Sequence, residues 1–204
     1  LNSGYIQEVK CEGRVDNLEK NIIKNKLLGN LGIGHVRWAT HGIPSTLNAH
    51  PHSSDNVSVV HNGIIENSTL LKKFLVKKGH RFKSQTDTEV IVHLITEYLK
   101  KNNLRETLTK VLKKLHGSFA LGIIFKDEPD LIVGARRGSP LAVGYGPGEN
   151  YLGSDSYALK SMTNKITYLD DGEFCIIKKT EVSFFNEQGK KTVSYTHLTL
   201  PTSR

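Results

Sequence analysis

Phe119-Ala120-Leu121-Gly122-Ile123-Ile124 carries no polar side chain, and this run constrains the architecture more than any other part of the chain. Successive side chains of a β-strand point to opposite faces, so a strand that is apolar on both faces needs cover on both. The run belongs to the first of several segments, 118–125, 131–136, 141–144, 150–153, 166–169, 173–178 and 182–185, that read as strands divided mostly by Gly, Pro, Asp or Asn. Segments 4–10, 33–38 and 57–61 read as strands as well. Between and before them lie helical periodicities. Val15, Leu18, Ile22, Ile23 and Leu27 follow a capping-box pair, Asp16 as N-cap and Glu19. Leu70, Leu71, Phe74 and Leu75 mark a helix over 67–78 that stops at Gly79. Thr86-Asp87-Thr88-Glu89 reads as a second capping box, which launches Val90, Ile91, Leu94, Ile95, Tyr98 and Leu99. Leu108, Val111, Leu112 and Leu115 give a last helix over 104–116, ended by Gly117. Doubly buried strands after a helical middle imply stacked sheets flanked by helices, an α+β arrangement with no internal repeat and no interdomain linker.

Composition narrows the setting. At 204 residues, 37% hydrophobic and 24% charged, the chain is long enough for one substantial core. No apolar run approaches the ~20 residues of a membrane helix, and the first residues do not read as a secretory signal. A cytoplasmic protein with no membrane partner is expected. Two cysteines, Cys11 and Cys175, are too few for a disulfide framework and have no metal-site spacing. The formal charge of +8 raises the question of nucleic acid. The lysine pairs are spread along the sequence without interleaved aromatics, however, which reads as solvated faces and no nucleic-acid partner.

The chemistry concentrates in three places. His35-Val36-Arg37-Trp38-Ala39-Thr40-His41-Gly42 puts a guanidinium, an indole, a hydroxyl and two imidazoles at the end of an apolar run. Arg37 and Asp87 would suit the two charges of an α-amino acid, because guanidinium binds carboxylate bidentately and a carboxylate accepts from an ammonium. Each alone is as readily an ordinary ion-pair residue, and Asp87 as readily an acid in a helix's first turn. Asn62-Gly63 after a β run is either a hairpin turn or an oxyanion hole, in which the amide and a backbone N–H face a developing negative oxygen. His35, His41, His50, His52 and His61 crowd one stretch. They lack interspersed carboxylates at ligand spacing, so they read as structural or hydrogen-bonding groups rather than a metal site. Neither cysteine has neighbours that would lower its pKa, so no nucleophile is evident.

These motifs resemble those of the class II glutamine amidotransferases. The resemblance runs from about Gly4 to about Lys191. It rests on 35–42, Asn48-Ala49-His50-Pro51-His52, Val60-His61-Asn62-Gly63-Ile64-Ile65-Glu66-Asn67, Thr86-Asp87-Thr88-Glu89-Val90-Ile91, Gly138-Ser139-Pro140-Leu141, Gly148-Glu149-Asn150 and Ser154-Asp155. Within that family, the Trp38-Ala39-Thr40-His41-Gly42 form is most similar to the glutaminase domain of the isomerising enzymes that turn fructose 6-phosphate into glucosamine 6-phosphate. The resemblance implies an N-terminal nucleophile (Ntn) hydrolase-like four-layer αββα sandwich. It implies that Arg37 and Asp87 hold the carboxylate and ammonium of L-glutamine, that Trp38, Thr40 and His41 line the pocket, and that Asn62 and Gly63 form the oxyanion hole, with no cofactor.

The family's nucleophile is an N-terminal cysteine, and Leu1 resembles a position already inside the domain. The expectation is therefore a fragment, truncated before residue 1 and without the isomerase domains that bind fructose 6-phosphate, inactive alone but drawn from a homo-oligomeric enzyme. Residues 1–193 would be the partial amidotransferase domain and 194–204 a tail of uncertain or foreign origin. A class II amidotransferase with another acceptor, or a non-catalytic glutamine-binding module, are the alternatives.

Overall fold

The computed structural model describes residues 5–37, 43–192 and 198–199. In chain order its elements are α1 (Val15–Lys24), β1 (His52–Ser53), β2 (Val57–Ile65), α2 (Ser68–Lys77), α3 (Glu89–Leu99), α4 (Leu104–Lys114), β3 (Gly117–Phe125), β4 (Glu128–Arg137), β5 (Ala142–Gly146), β6 (Glu149–Gly153), α5 (Ser156–Leu159), β7 (Lys165–Tyr168), β8 (Phe174–Ile177), β9 (Val182–Phe185), β10 (Lys191–Thr192) and β11 (Leu198–Thr199). One sheet runs β1-β2-β3-β4-β8-β9-β10 and a second runs β11-β7-β5-β6, with antiparallel pairing throughout.

Three separate cores show why β3 is apolar on both faces. Phe119, Leu121, Ile123 and Phe125 join Val57, Val59, Leu131, Val133 and Phe174 in a core shared with α2, α3 and α4. Ala120 turns the other way, into a second core with Leu141, Val143, Cys175, Ile177 and Phe184. That second core lies between the two sheets. Gly122 and Gly134 belong to the same interface, where a β-carbon on Gly134 would stand 2.7 Å from Leu152 and 2.9 Å from the Cys175 sulfur. The third core, Ala142, Leu159 and Ile166, sits between the second sheet and α5. Helices, sheet, sheet and helix give the four layers, in the order that doubly buried strands require.

α3 is the central helix, packed between α2 and α4 and against β1 and β2. Val90, Ile91, Val92, Leu94 and Ile95 are all buried there. Gly79 ends α2 as expected: it adopts φ +89, and the amides of Gly79 and His80 return to Val76 and Leu75. Asn103 caps α4 by accepting from the Glu106 amide at 2.9 Å.

Several local expectations change. Segments 4–10 and 33–38 form no extended strand within the described residues; Tyr5 makes a single bridge. Instead Gly34, His35 and Val36 line a cavity with β2, β3 and residues of the second sheet. Neither expected capping box forms, since the N-cap positions of α1 and α3 are Arg14 and Thr88, with no side-chain cap bond. α4 ends at Lys114, and Gly117 opens β3 rather than closing the helix. At φ +116, a β-carbon on Gly117 would meet the Ile64 carbonyl oxygen at 2.2 Å, so this glycine serves the β2–β3 approach.

The positive charge is unevenly placed along the chain. Residues 68–116, which build the α2–α4 layer, hold twelve of the 28 Lys and Arg and four of the 20 acids. The formal charge of +8 is thus carried by that layer, and the rest of the chain balances.

Candidate functional site

The register of β2 on β3 sets the site. His61 pairs with Leu121, Asn62 with Ala120 and Gly63 with Phe119. Asn62-Gly63 is therefore mid-strand, and of the two readings open at the sequence level the hairpin turn is excluded. Paired residues share a face, so His61 points with Leu121 toward the helices, while Asn62 points with Ala120 to the opposite side. Gly63 has φ +125, and a β-carbon there would stand 2.1 Å from the Ser118 carbonyl oxygen. Only glycine lets the strand take this course.

A cavity of about 290 Å³ opens at this point. It is lined by residues from four segments: His35, Val36 and Arg37; His50; His61, Asn62, Gly63 and Ile64; and Thr86, Asp87 and Thr88. The structure thus brings Arg37, Asn62, Gly63 and Asp87 together from positions far apart in sequence. Trp38, Thr40 and His41 lie outside the described residues. Among the described lining residues Arg37 and Asp87 are the charged groups, one of each sign, which suits a zwitterion. Asp87 is buried, and its Oδ2 accepts from the Ile65 amide at 2.7 Å. The Arg37 guanidinium donates to the Ile43 carbonyl at 3.3 Å.

The polar residues that read as a capping box do different work. Glu89 is buried and accepts from the amides of Lys83 and Ser84 at 2.8 and 2.7 Å and from the Ser84 hydroxyl. Burial alone would raise its pKa. Bonds from His93, Lys83 and Ser84 outweigh that and hold it at about 2. The loop 84–88 is also laced to 48–52 by three rungs. Asn48 exchanges hydrogen bonds with Gln85, the His50 Nε2 meets the Thr88 hydroxyl at 3.0 Å, and the His52 Nε2 meets the Thr86 hydroxyl at 2.9 Å. Thr88 Oγ1 also contacts the His61 Nδ1 at 3.0 Å. These rungs fix Asp87 against the cavity, and the roles of Asn48, Thr86 and Thr88 in them are not legible in the sequence because those partners are 27 or more positions away.

The histidines sort by environment. His50 is pushed down to about 2, first by burial and then by the neighbouring imidazoles and Arg37. Burial followed by Lys10 takes His52 to about 4. His35 is lowered too, by burial, against the opposing effect of its bond to Asn62. All three are neutral at pH 7. Among the described residues no group of three or more His, Cys, Asp and Glu could hold a metal ion. Cys175 is fully buried between the sheets and burial raises its thiol to about 12, so it is no nucleophile. Cys11 lines a neighbouring cavity of about 530 Å³ on the other side of the His35–Arg37 segment.

Known proteins fit this geometry. A family model described as a glutamine amidotransferase domain matches residues 35–161, the span that contains every residue of the cavity. The chain belongs to that family. It is 49% identical over 204 residues to the glutamine–fructose-6-phosphate aminotransferase (isomerizing) of Mesorhizobium japonicum, covering 100% of this chain and 34% of that one. The identity is 51% over 180 residues to the same-named protein of Zymomonas mobilis, covering 88% and 30%. The domain therefore spans about a third of the length of these curated relatives. Among solved structures it resembles the glutamine phosphoribosylpyrophosphate amidotransferase from B. subtilis, with a TM-score of 0.61 at 29% identity over 75% of this chain and 34% of that one. A glutamine aminotransferase class-II domain protein from Silicibacter pomeroyi shares the fold at a TM-score of 0.55 and 16% identity, covering 68% and 70%. These neighbours carry the Ntn-type arrangement of stacked antiparallel sheets and helices.

Proposed function

We propose that this domain is the glutaminase half of a class II amidotransferase. It hydrolyses L-glutamine to glutamate and ammonia, which serves the conversion of fructose 6-phosphate to glucosamine 6-phosphate. The observation that carries this reading is the meeting of Arg37, Asp87, Asn62 and Gly63 around one cavity. Arg37 takes the α-carboxylate and Asp87 the α-ammonium, which leaves the side-chain amide of glutamine facing Asn62 and Gly63. Attack on that carbonyl puts negative charge on its oxygen, where the Asn62 amide and the Gly63 N–H stabilise it. Trp38, Thr40 and His41 are assigned to glutamine binding by the family resemblance alone. The attacking group has to approach from the side opposite those donors, and no cysteine or serine is among the described residues of the cavity.

The choice of acceptor is supported by the names of the relatives near 50% identity. A cytoplasmic, homo-oligomeric full-length protein belongs to the same reading; no helix among the described residues is long and apolar enough to cross a membrane.

The test is made on the full-length polypeptide that carries this domain, by following glutamate release and glucosamine 6-phosphate formation together. Asn62→Ala is expected to lower kcat for glutamine by roughly 10²- to 10³-fold. Undiminished turnover in that variant removes the oxyanion role. Glutamate release without amination of fructose 6-phosphate moves the domain to another acceptor, and glutamine binding without any turnover makes it a binding module.

A further inference from the structure

We infer that His35 is a positioning residue that sets which end of the Asn62 amide faces the substrate; the inference rests on the reading of Asn62 as an oxyanion donor. An asparagine amide is nearly symmetric in shape but not in chemistry, because a half-turn about its last bond exchanges two donors for an acceptor. In an oxyanion hole the wrong end would aim a carbonyl oxygen at developing negative charge.

His35 decides between the two ends. Its Nε2 stands 2.7 Å from Asn62 Oδ1; an amide oxygen can only accept, so this pairing requires the tautomer with hydrogen on Nε2. With Oδ1 engaged, the NH2 end is left to the cavity. The imidazole is itself held: its ring packs at 4.2 Å from the His50 ring, and His50 is tied through the Thr88 hydroxyl to His61, the β2 neighbour of Asn62. The donor is also neutral, so it orients the amide without adding a second cation that would compete with Arg37 for the substrate carboxylate.

The test compares His35→Phe, which keeps a ring but removes the donor, with His35→Gln, whose amide can restore one, and with Asn62→Ala and the His35→Phe/Asn62→Ala double variant. Steady-state glutaminase kinetics of the full-length polypeptide are the readout. His35→Phe is expected to lower kcat about 10- to 100-fold while KM for glutamine moves less than about threefold, because the lost interaction acts on the transition state. His35→Gln recovers most of the rate, and His35→Phe adds little once Asn62 is already alanine. An equal drop in the Asn62→Ala background, or no benefit of Gln over Phe, makes His35 merely structural and overturns the inference. If Asn62→Ala alone leaves kcat intact, the oxyanion reading fails first. A crystal structure of His35→Phe supplies a readout independent of turnover: a rotated Asn62 amide supports positioning, and an unmoved one contradicts it.

Discussion

At Gly63 two constraints coincide: a left-handed φ of +125 and the Ser118 carbonyl oxygen 2.1 Å from where a β-carbon would stand. Gly79 has only the first, with φ +89 and open space around it. Gly79→Ala is therefore expected to cost about 1–2 kcal/mol, the penalty of the left-handed conformation alone. Gly63→Ala should cost about 3 kcal/mol or more, since the β2–β3 ladder must also part. Denaturant unfolding of the two variants side by side measures the difference, and equal losses would show that the Ser118 approach carries no weight. The residues of the cavity were legible in the sequence as types: a guanidinium, a carboxylate, an amide before a glycine. Their meeting was not, because 50 positions separate Arg37 from Asp87 and only the β2 register places Asn62 on the face it shares with His35. An Asn-Gly pair has the same local appearance in a turn and mid-strand.

Among the elements, α3 governs the site through its first turn rather than its length. Thr88 serves both His50 and His61, so Thr88→Val leaves two imidazole nitrogens, one buried and one partly buried, without that partner at unchanged volume. A loss of about 1–3 kcal/mol is expected. Removing the exposed cap of α4 by Asn103→Ala should cost about 1 kcal/mol. Thermal unfolding ranks the two, and a Thr88→Val variant as stable as the wild type would mean that the lacing between 48–52 and 84–88 contributes nothing. The same turn shows why element types were readable and element ends were not. Apolar spacing announced α2, α3 and α4, and alternating cores confirm β3 and β4. The acids and hydroxyls of 86–89 fit a capping box by spacing, yet in the fold they bond to Ile65, Lys83, Ser84, His50, His52 and His61, partners that no local pattern reveals.

For the whole molecule the neutral histidines set the response to acid. A histidine with a depressed folded pKa binds fewer protons in the native state than in the unfolded one, so stability falls as pH drops below the ordinary value of 6.5. For His52 the loss runs until about pH 4, and for His50 until about 2. Glu89, held at about 2, acts in the same direction below its ordinary 4.5. Between pH 6.5 and 5, where carboxylates remain ionised, the melting temperature should already decline, with each histidine contributing up to about 1.4 kcal/mol per pH unit. A flat melting temperature across that window contradicts the buried, neutral assignment.

The layer order was implied by one doubly apolar strand. The excess of positive charge in 68–116 is countable in the sequence; that this stretch builds the helical layer of α2, α3 and α4 is seen only in the fold.

Recognition of both charges of an α-amino acid by the cavity is tested by a calorimetric titration of L-glutamine into the protein. The wild type is compared with Arg37→Gln and Asp87→Asn. Asparagine at 87 still offers an oxygen to the Ile65 amide, so the charge is removed while that backbone contact is kept. Saturable binding by the wild type is expected, with at least about tenfold weaker binding by each variant, equivalent to about 1.4 kcal/mol. The same affinity in all three proteins would contradict it.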